Sequence, residues 1–286
     1  MFATQKILET KLLEIMAEDV GQGDATVDAI VPADAKAEAE IVAHQNGVVA
    51  GIEEVAVLAK SLDLKIEANI ADGESFKNKQ IIMKIVGNTR TILTAERTIM
   101  NLLSRMSGIA TATNKLVEEI RKAKLNTKIA ATSKTAPGLL FFDKKAVQIG
   151  GGDTHRLHLD DLILVKDNHI AVAGSVENAV KKARMNASFT KKIEVEVKNP
   201  KEAIEAAEAG ADIIMLDNFT LDQTKQTIKL LEKSRIIERI TLESSGGINA
   251  ENLLEYASTG VDVLSVGEIT HSVKSVDLSL EITKVI

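Results

Sequence analysis

The chain has 286 residues, 45% hydrophobic and 27% charged, a length that supports one large α/β barrel or two smaller domains. It has no cysteine, which excludes a disulfide framework, a thiol nucleophile and a cysteine-based zinc site. Its net charge of −6 argues against a general nucleic-acid surface, so an anionic ligand would need a local cluster of cations. No apolar run approaches the ~18 residues that span a bilayer, and "MFATQKILETKLLEIM" shows no signal-peptide pattern. The expectation is a cytoplasmic protein with no membrane partner.

In chain order, "QKILETKLLEIMA" repeats apolar positions at Leu8, Leu12, Ile15 and Met16, the period of a helix with one buried face. The glycine-punctuated turn "EDVGQGDAT" follows. "AEAEIVAHQNGVVAG" and "LKIEANIADGE" alternate partly with period two, on either side of the helix-like "IEEVAVLAKSL", and "KQIIMKIVG" reads as another strand. The first hundred residues thus form an α+β unit. "TILTAERTIMNLLSRMSG" predicts a helix with Ile99, Leu102, Leu103 and Met106 on its apolar side, while Arg97, Asn101 and Ser104 share another face.

Beyond this helix, short apolar runs alternate with helical segments. The strands are "KIAATSK", "LILVKDN", "KIEVEVK", "IIMLDN", "RITLESSGG" and "VDVLSVGE"; the helices include "SVENAVKKARM", "KEAIEAAEAG", "TKQTIKLLEK" and "AENLLEYAST". Such alternation predicts parallel strands with crossover helices, in a barrel or a doubly wound sheet. Each strand closes on residues able to do chemistry: Lys134, Lys166, Glu196, Asp217, Ser245 with Gly246 and Gly247, and Gly267. In parallel α/β folds the C-terminal strand ends open onto the active site, so these residues converge on one mouth. Lys134, His155, Arg156 and Lys166 supply positive charge, and Glu196 and Asp217 are acceptors suited to sugar hydroxyls or a divalent metal. The glycines after successive strands suit a phosphate cradle. His158, beside Asp160 and Asp161, reads as part of a polar loop rather than a metal cluster.

Several segments, in order along nearly the whole chain, resemble the quinolinate phosphoribosyltransferase family: "EDVGQGDAT", "AERTIMNLLSRMSGIAT", "KTAPGLLFFDKKAVQIGGGDTHRLHLDDLILVKDNHI", "EVEV", "IIMLDNF", "ESSGGI" and "GVDVLSVGEITHS". The resemblance implies a type II phosphoribosyltransferase, with an N-terminal α+β sandwich-like domain followed by an open, irregular α/β barrel. The domains would cover 1–110 and 111–271, with 272–286 returning to the first. It further implies transfer of a 5-phosphoribosyl group from phosphoribosyl pyrophosphate to quinolinate with decarboxylation, using magnesium, in a homodimer whose partner completes each site. By motif position, Lys134 and Lys166 would contact the anionic substrates, and His155 and Arg156 the pyridine carboxylates. Arg97 would reach across from the other subunit. Glu196 and Asp217 would hold the ribose hydroxyls and the associated magnesium, and Ser245, Gly246, Gly247, Gly267 and His271 would surround the 5-phosphate. His44, His158 and His169 receive no substrate contact.

The chain departs from the family in "ATSKTAPG", where Ser133 stands in place of an arginine expected to contact an acceptor carboxylate. One lost charge-assisted hydrogen bond costs about 1.5 to 3 kcal/mol, roughly ten- to a hundred-fold in affinity. Lys122, Lys144, Lys145 and Arg105 are candidates to compensate. Two variants of the reading are a related enzyme for a different heteroaromatic acid and a Schiff-base lyase using Lys166. A non-catalytic phosphosugar-binding subunit is a third.

Overall fold

The computed structural model describes residues 4 to 286; the first three residues of the segment searched for a leader pattern lie outside it. The chain divides into two compact units. The first comprises the residues up to Asn114 together with Phe141–Gly151 and Val273–Ile286, and the second comprises Lys115–Leu140 and Gly152–Ser272.

The first unit carries helices α1 (Gln5–Val20), α2 (Ala25–Ile30) and α3 (Ile52–Ser61) and strands β1 (Lys36–Ala43), β2 (Gly47–Val48), β3 (Lys65–Ala68), β4 (Ser75–Phe76) and β5 (Ile81–Asn88). The long helix α4 (Thr89–Lys122) begins here, and most of α5 (Leu140–Ile149) belongs here as well. Ala37, Ala39, Ile41 and Ala43 of β1 are buried in strict alternation, the period-two pattern of a strand with one packed face. α4 buries Ile92, Ala95, Ile99, Leu103, Met106 and Ala110 at intervals of three and four, so the helical periodicity holds over many turns. Arg97 and Asn101 are exposed on its other side, as that periodicity requires.

Sequence reading assigned 141–151 to the barrel, and the partition into the first unit has an electrostatic reason. Asp143, Lys144 and Lys145 of α5 are buried. Arg105 Nε and Nη2 donate to the two Asp143 oxygens at 2.7 and 2.9 Å. Lys145 Nζ donates to Glu54 Oε1 at 2.6 Å and pairs with Glu53. Buried charges persist only when paired in this way. These partners also remove Arg105 and Lys145 as substitutes for the missing arginine, because their donors are already committed, and Lys144 is fully buried in the same helix. Lys122 is exposed but ends α4, which leads to the N-terminal end of the next strand, opposite the mouth.

The second unit holds six parallel strands, β6 (Lys128–Ala130), β7 (Ile163–Val165), β8 (Ile193–Val197), β9 (Ile213–Asp217), β10 (Thr241–Ser245) and β11 (Val263–Ser265), in the spatial order β6-β11-β10-β9-β8-β7. Between and after them run α6 (Asp167–Ala173), α7 (Val176–Asn186), α8 (Pro200–Glu208), α9 (Leu221–Lys233), α10 (Leu253–Ala257) and α11 (Glu268–His271). The sheet is open between β6 and β7, and the chain at Asp153 runs parallel to β6: Ala131 N–H donates to Asp153 O, and Asp153 N–H to Ile129 O. An open, irregular barrel results, as the sequence led us to expect. Two aspartates tie the feet of neighbouring strands: Asp212 accepts the Ile193 amide at 2.7 Å and Asp262 the Leu242 amide at 2.8 Å. Side-chain caps from Ser175, Asn199 and Thr220 start α7, α8 and α9. Several strands are shorter than their apolar runs, β6 stopping at Ala130 and β7 at Val165.

Returning to the first unit, the last strand β12 (Leu278–Val285) pairs antiparallel with β1 and completes a sheet of order β12-β1-β5-β3. No helix among the described residues is long and apolar enough to cross a membrane.

Gly108 on α4 faces the chain leading into β12, where a Cβ would run into the carbonyl oxygen of Lys274. Gly108→Ala is therefore expected to lower the unfolding free energy by about 1–3 kcal/mol. Urea denaturation measures this, and a loss below ~0.5 kcal/mol would show that the two backbones separate freely.

Candidate active site

Because all six strands run parallel, their C-terminal ends share one edge of the barrel. Lys166 follows β7, Glu196 lies in β8, Asp217 ends β9, Ser245 ends β10, Gly267 follows β11 and Lys134 follows β6. Thr132, Lys134, Ser245, Gly246, Gly247 and Gly267 line one cavity of about 330 Å³ together with Asn249, Glu268 and His271. Gly246 sits at φ 97°, and a Cβ there would collide with the Asn218 carboxamide, so glycine is required by both conformation and space. Asn218 is itself left-handed, at φ 56°, and its Nδ2 donates to Asp217 Oδ1 at 2.9 Å. The amides of Gly246, Gly247 and Ile248 donate to no protein group among the described residues. Free amides in such a turn form an anion-binding concavity. Lys134 brings its side chain over Gly267, and the His271 ring closes the same side. Thr270 Oγ1 donates to Lys134 O at 2.7 Å and ties α11 to the Lys134 loop.

On neighbouring strand ends, Lys166 Nζ donates to Glu196 Oε1 at 2.6 Å. The lysine lies at the start of α6, where its own amide donates to His169 Nδ1 at 3.0 Å. His169 thus shapes the turn that presents Lys166 rather than lining the cavity. Glu196 and Asp217 end adjacent strands, with one oxygen of each held by Lys166 and Asn218. Two partly accessible carboxylates are the protein share that magnesium takes beside substrate phosphates, so the donor set fits that ion.

His155 occupies a deeper level. It is a non-glycine residue at φ 54°, its amide donates to Asp153 Oδ1 at 2.8 Å, and its ring is only 11% exposed. Its Nε2 lies 3.3 Å from Glu194 of β8 and 3.4 Å from Glu243 of β10, both buried on the inner side of the barrel. Ser265 Oγ of β11 donates to Glu243 Oε1. Burial opposes a charged imidazole, yet the two carboxylates outweigh it and push the His155 pKa up to about 10. Burial also raises Glu194. These tendencies compete for one proton, and the backbone decides between them. Arg156 N–H donates to His155 Nδ1 at 2.8 Å, which requires a lone pair there. With Nδ1 accepting, the ring hydrogen is on Nε2 and faces the two glutamates. The three groups are close enough to ligate a cation, but an Nε2 that bears hydrogen has no lone pair for a metal.

The remaining expected residues fall into three places. Arg156 is half-buried beside His155, and Ser133 is exposed next to Lys134 without lining the cavity. Arg97 belongs to the first unit. His158 lies in a polar loop whose turn is held by Asp161 Oδ2, which accepts the Leu157 and His158 amides and is thereby pulled below its usual pKa. His44 is a surface partner of Ser279. Sequence reasoning missed Asn218, Asn249, Glu194 and Glu243. The first lies inside "IIMLDNF" and the two glutamates inside "EVEV" and "ESSGGI", so a signal existed in the strand alternation that places 194 with 196 and 243 with 245.

Comparison with known proteins finds relatives over nearly the whole chain. The family model described as quinolinate phosphoribosyl transferase, C-terminal domain, matches residues 109–281, and the N-terminal domain model matches 24–107. A probable nicotinate-nucleotide pyrophosphorylase [carboxylating] of Methanocaldococcus jannaschii is 47% identical over 93% of this chain and 94% of its own. One from Methanothermobacter thermautotrophicus is 45% identical over 94% and 96%. Among solved structures, NadC from Streptococcus pyogenes superposes with a TM-score of 0.90 at 36% identity, covering 99% of this chain and 98% of its own.

Gly246→Ala is expected to displace Asn218 and weaken binding of inorganic phosphate at the cavity at least tenfold, by phosphorus NMR titration. Unchanged affinity would move the anion site away from the turn at Gly246.

Proposed function

Because the chain belongs to the quinolinate phosphoribosyltransferase family, its activity is phosphoribosyl transfer, and we propose that the strand ends of the second unit carry it out. The reaction takes the 5-phosphoribosyl group of phosphoribosyl pyrophosphate to quinolinate, giving nicotinate mononucleotide, pyrophosphate and carbon dioxide in NAD biosynthesis. The observation that carries the residue assignment is the meeting of Lys134 with the glycine turns at one cavity, on the edge that also holds Lys166, Glu196 and Asp217.

In this reading the 5-phosphate sits on the free amides from Gly246 to Ile248, with Ser245, Gly267 and His271 around it. Glu196 and Asp217 accept hydrogen bonds from the ribose hydroxyls. The same two carboxylates would hold magnesium, which would supply charge neutralisation for a departing pyrophosphate. Lys134 and Lys166 add fixed positive charge on the same edge. As the bond from the anomeric carbon to pyrophosphate breaks, both electrons leave on oxygen, and the pyridine nitrogen lone pair forms the new bond. Arg156 holds the acceptor carboxylates, and His155, whose Nδ1 accepts the Arg156 amide, sets its place, so the ring nitrogen faces the sugar. The carboxylate next to that nitrogen then leaves as carbon dioxide, and the pyridinium stabilises the electron pair left on the ring carbon until it takes a proton. Positioning and electrostatics suffice for such a step, and no activated side-chain nucleophile is required.

For Lys166, release from Glu196 is part of binding: an anionic substrate must replace the carboxylate that pairs with it at 2.6 Å. A homodimer, with Arg97 supplied by the partner, is supported by the exposure of Arg97 and of the large apolar residues Val172, Met185 and Phe189, which water alone would cover poorly. A cytoplasmic setting is consistent with a chain that has no cysteine.

Pyrophosphate and carbon dioxide release, followed with quinolinate, nicotinate or no acceptor, tests the reading. Equimolar release with quinolinate alone is expected, and release with nicotinate alone would reassign the acceptor. Ser133→Arg should lower the KM for quinolinate ten- to a hundred-fold, worth about 1.5 to 3 kcal/mol, while leaving that for phosphoribosyl pyrophosphate unchanged. An unaltered KM would show that position 133 does not face the acceptor.

A further inference from the structure

Glu194 and Glu243 sit one layer below the mouth, 0% and 2% exposed, where a parallel barrel ordinarily packs branched apolar side chains. Neither is open to a substrate arriving at the strand ends. Both point at one atom. Nε2 of His155 lies 3.3 Å from either oxygen of Glu194 and 3.4 Å from Glu243 Oε2, so the ring spans from β8 to β10 across the intervening β9. The other Glu243 oxygen is held by Ser265 Oγ from β11. The opposite edge of the same ring, Nδ1, accepts the Arg156 amide, and the backbone at His155 is in the left-handed region that a side chain adopts only when its surroundings enforce it.

We propose that Glu194 and Glu243 are positioning residues of the acceptor site, which set the tautomer and orientation of His155 and, through Nδ1, the backbone of Arg156. The inference rests on the reading above that Arg156, placed by His155, holds the acceptor carboxylates. Its logic is a chain of donors and acceptors. Carboxylates below accept from Nε2–H, which leaves Nδ1 as a lone pair, which fixes the Arg156 amide, which aims the first residue after the strained turn. Replacing one acceptor below with a donor opposes the chain: Nε2–H then meets an NH2 beside Glu194, the Nδ1–H form gains population, and in that form two donors face each other at Arg156.

Glu243→Gln makes that replacement. Its oxygen stays on Ser265 Oγ, and its NH2 turns to Nε2. Long-range nitrogen–proton NMR of the full-length, 15N-labelled protein reads the tautomer without substrate, with the His155 signal assigned by its loss in His155→Gln. The native ring should be the Nε2–H form, and Glu243→Gln should convert it to Nδ1–H or leave it averaging. In turnover, the KM for quinolinate should rise at least tenfold, with that for phosphoribosyl pyrophosphate within twofold and the thermal midpoint within a few degrees. Adding Ser265→Ala frees the carboxamide to flip, so relative to Ser265→Ala alone the double variant should regain the native tautomer and most of the lost acceptor affinity. A native ring that already averages, a tautomer indifferent to Glu243→Gln, or an equal rise in both KM values would overturn the proposal. His155→Ala separates the two readings: if it leaves the quinolinate KM unchanged, the acceptor assignment fails, and the tautomer measurement still decides the role of the glutamates.

Discussion

The site depends on one geometric constraint, the parallel register of the six strands in the second unit. Parallel pairing forces each crossover to return to the foot of the sheet, so every strand ends on the same side. Asp212 and Asp262 tie the feet of β8 and β10 to the strands that follow them, so the height of each end is set by the register rather than by its loop. Residues far apart in the chain, from Lys134 to His271, then share one edge. The cations and carboxylates there would repel or neutralise one another at random spacing; in register they alternate, with Lys166 on Glu196 and Asp217 on Asn218.

Placing charge inside the protein is the second theme. The first unit buries Asp143 against Arg105 and Lys145 against Glu54, where burial raises the Glu54 carboxyl against the pull of its lysine. Breaking one partner of such a pair would strand the other in low dielectric. In the second unit the buried charges face an imidazole instead, and hydrogen-bond direction rather than ion pairing organises them. Ser265, which lines the mouth cavity, Glu243, His155 and Arg156 form one continuous line of polar contacts.

That line joins the two halves of the chemistry. In the proposed reading, one side of the mouth offers free amides and glycines to a phosphate, which asks for charge and close approach. The other would offer carboxylates a guanidinium set in place by a fixed imidazole, which asks for orientation. A reaction whose transition state is a sugar cation between two anionic groups needs both, and it needs no nucleophile from the protein.

Much of this was legible in the amino-acid sequence. Alternating runs at roughly regular spacing determined parallel strands and crossover helices, and polar strand ends such as Lys166, Glu196 and Asp217 marked the mouth, because strand periodicity and chain polarity are local properties. The glycine at 246 announced a tight turn; only the fold supplied its reason, the Asn218 carboxamide pressed against it. The place of α5 was decided by tertiary structure alone. Nothing within "FFDKKAV" marks its charges as buried, and their burial follows from Arg105, Glu53 and Glu54, which stand far off in the chain. Glu194 and Glu243 show the same limit. Strand alternation would have put them on one face with Glu196 and Ser245, but whether a carboxylate there meets water, a metal or an imidazole is set by what the rest of the chain brings opposite, and only folding brings His155 there.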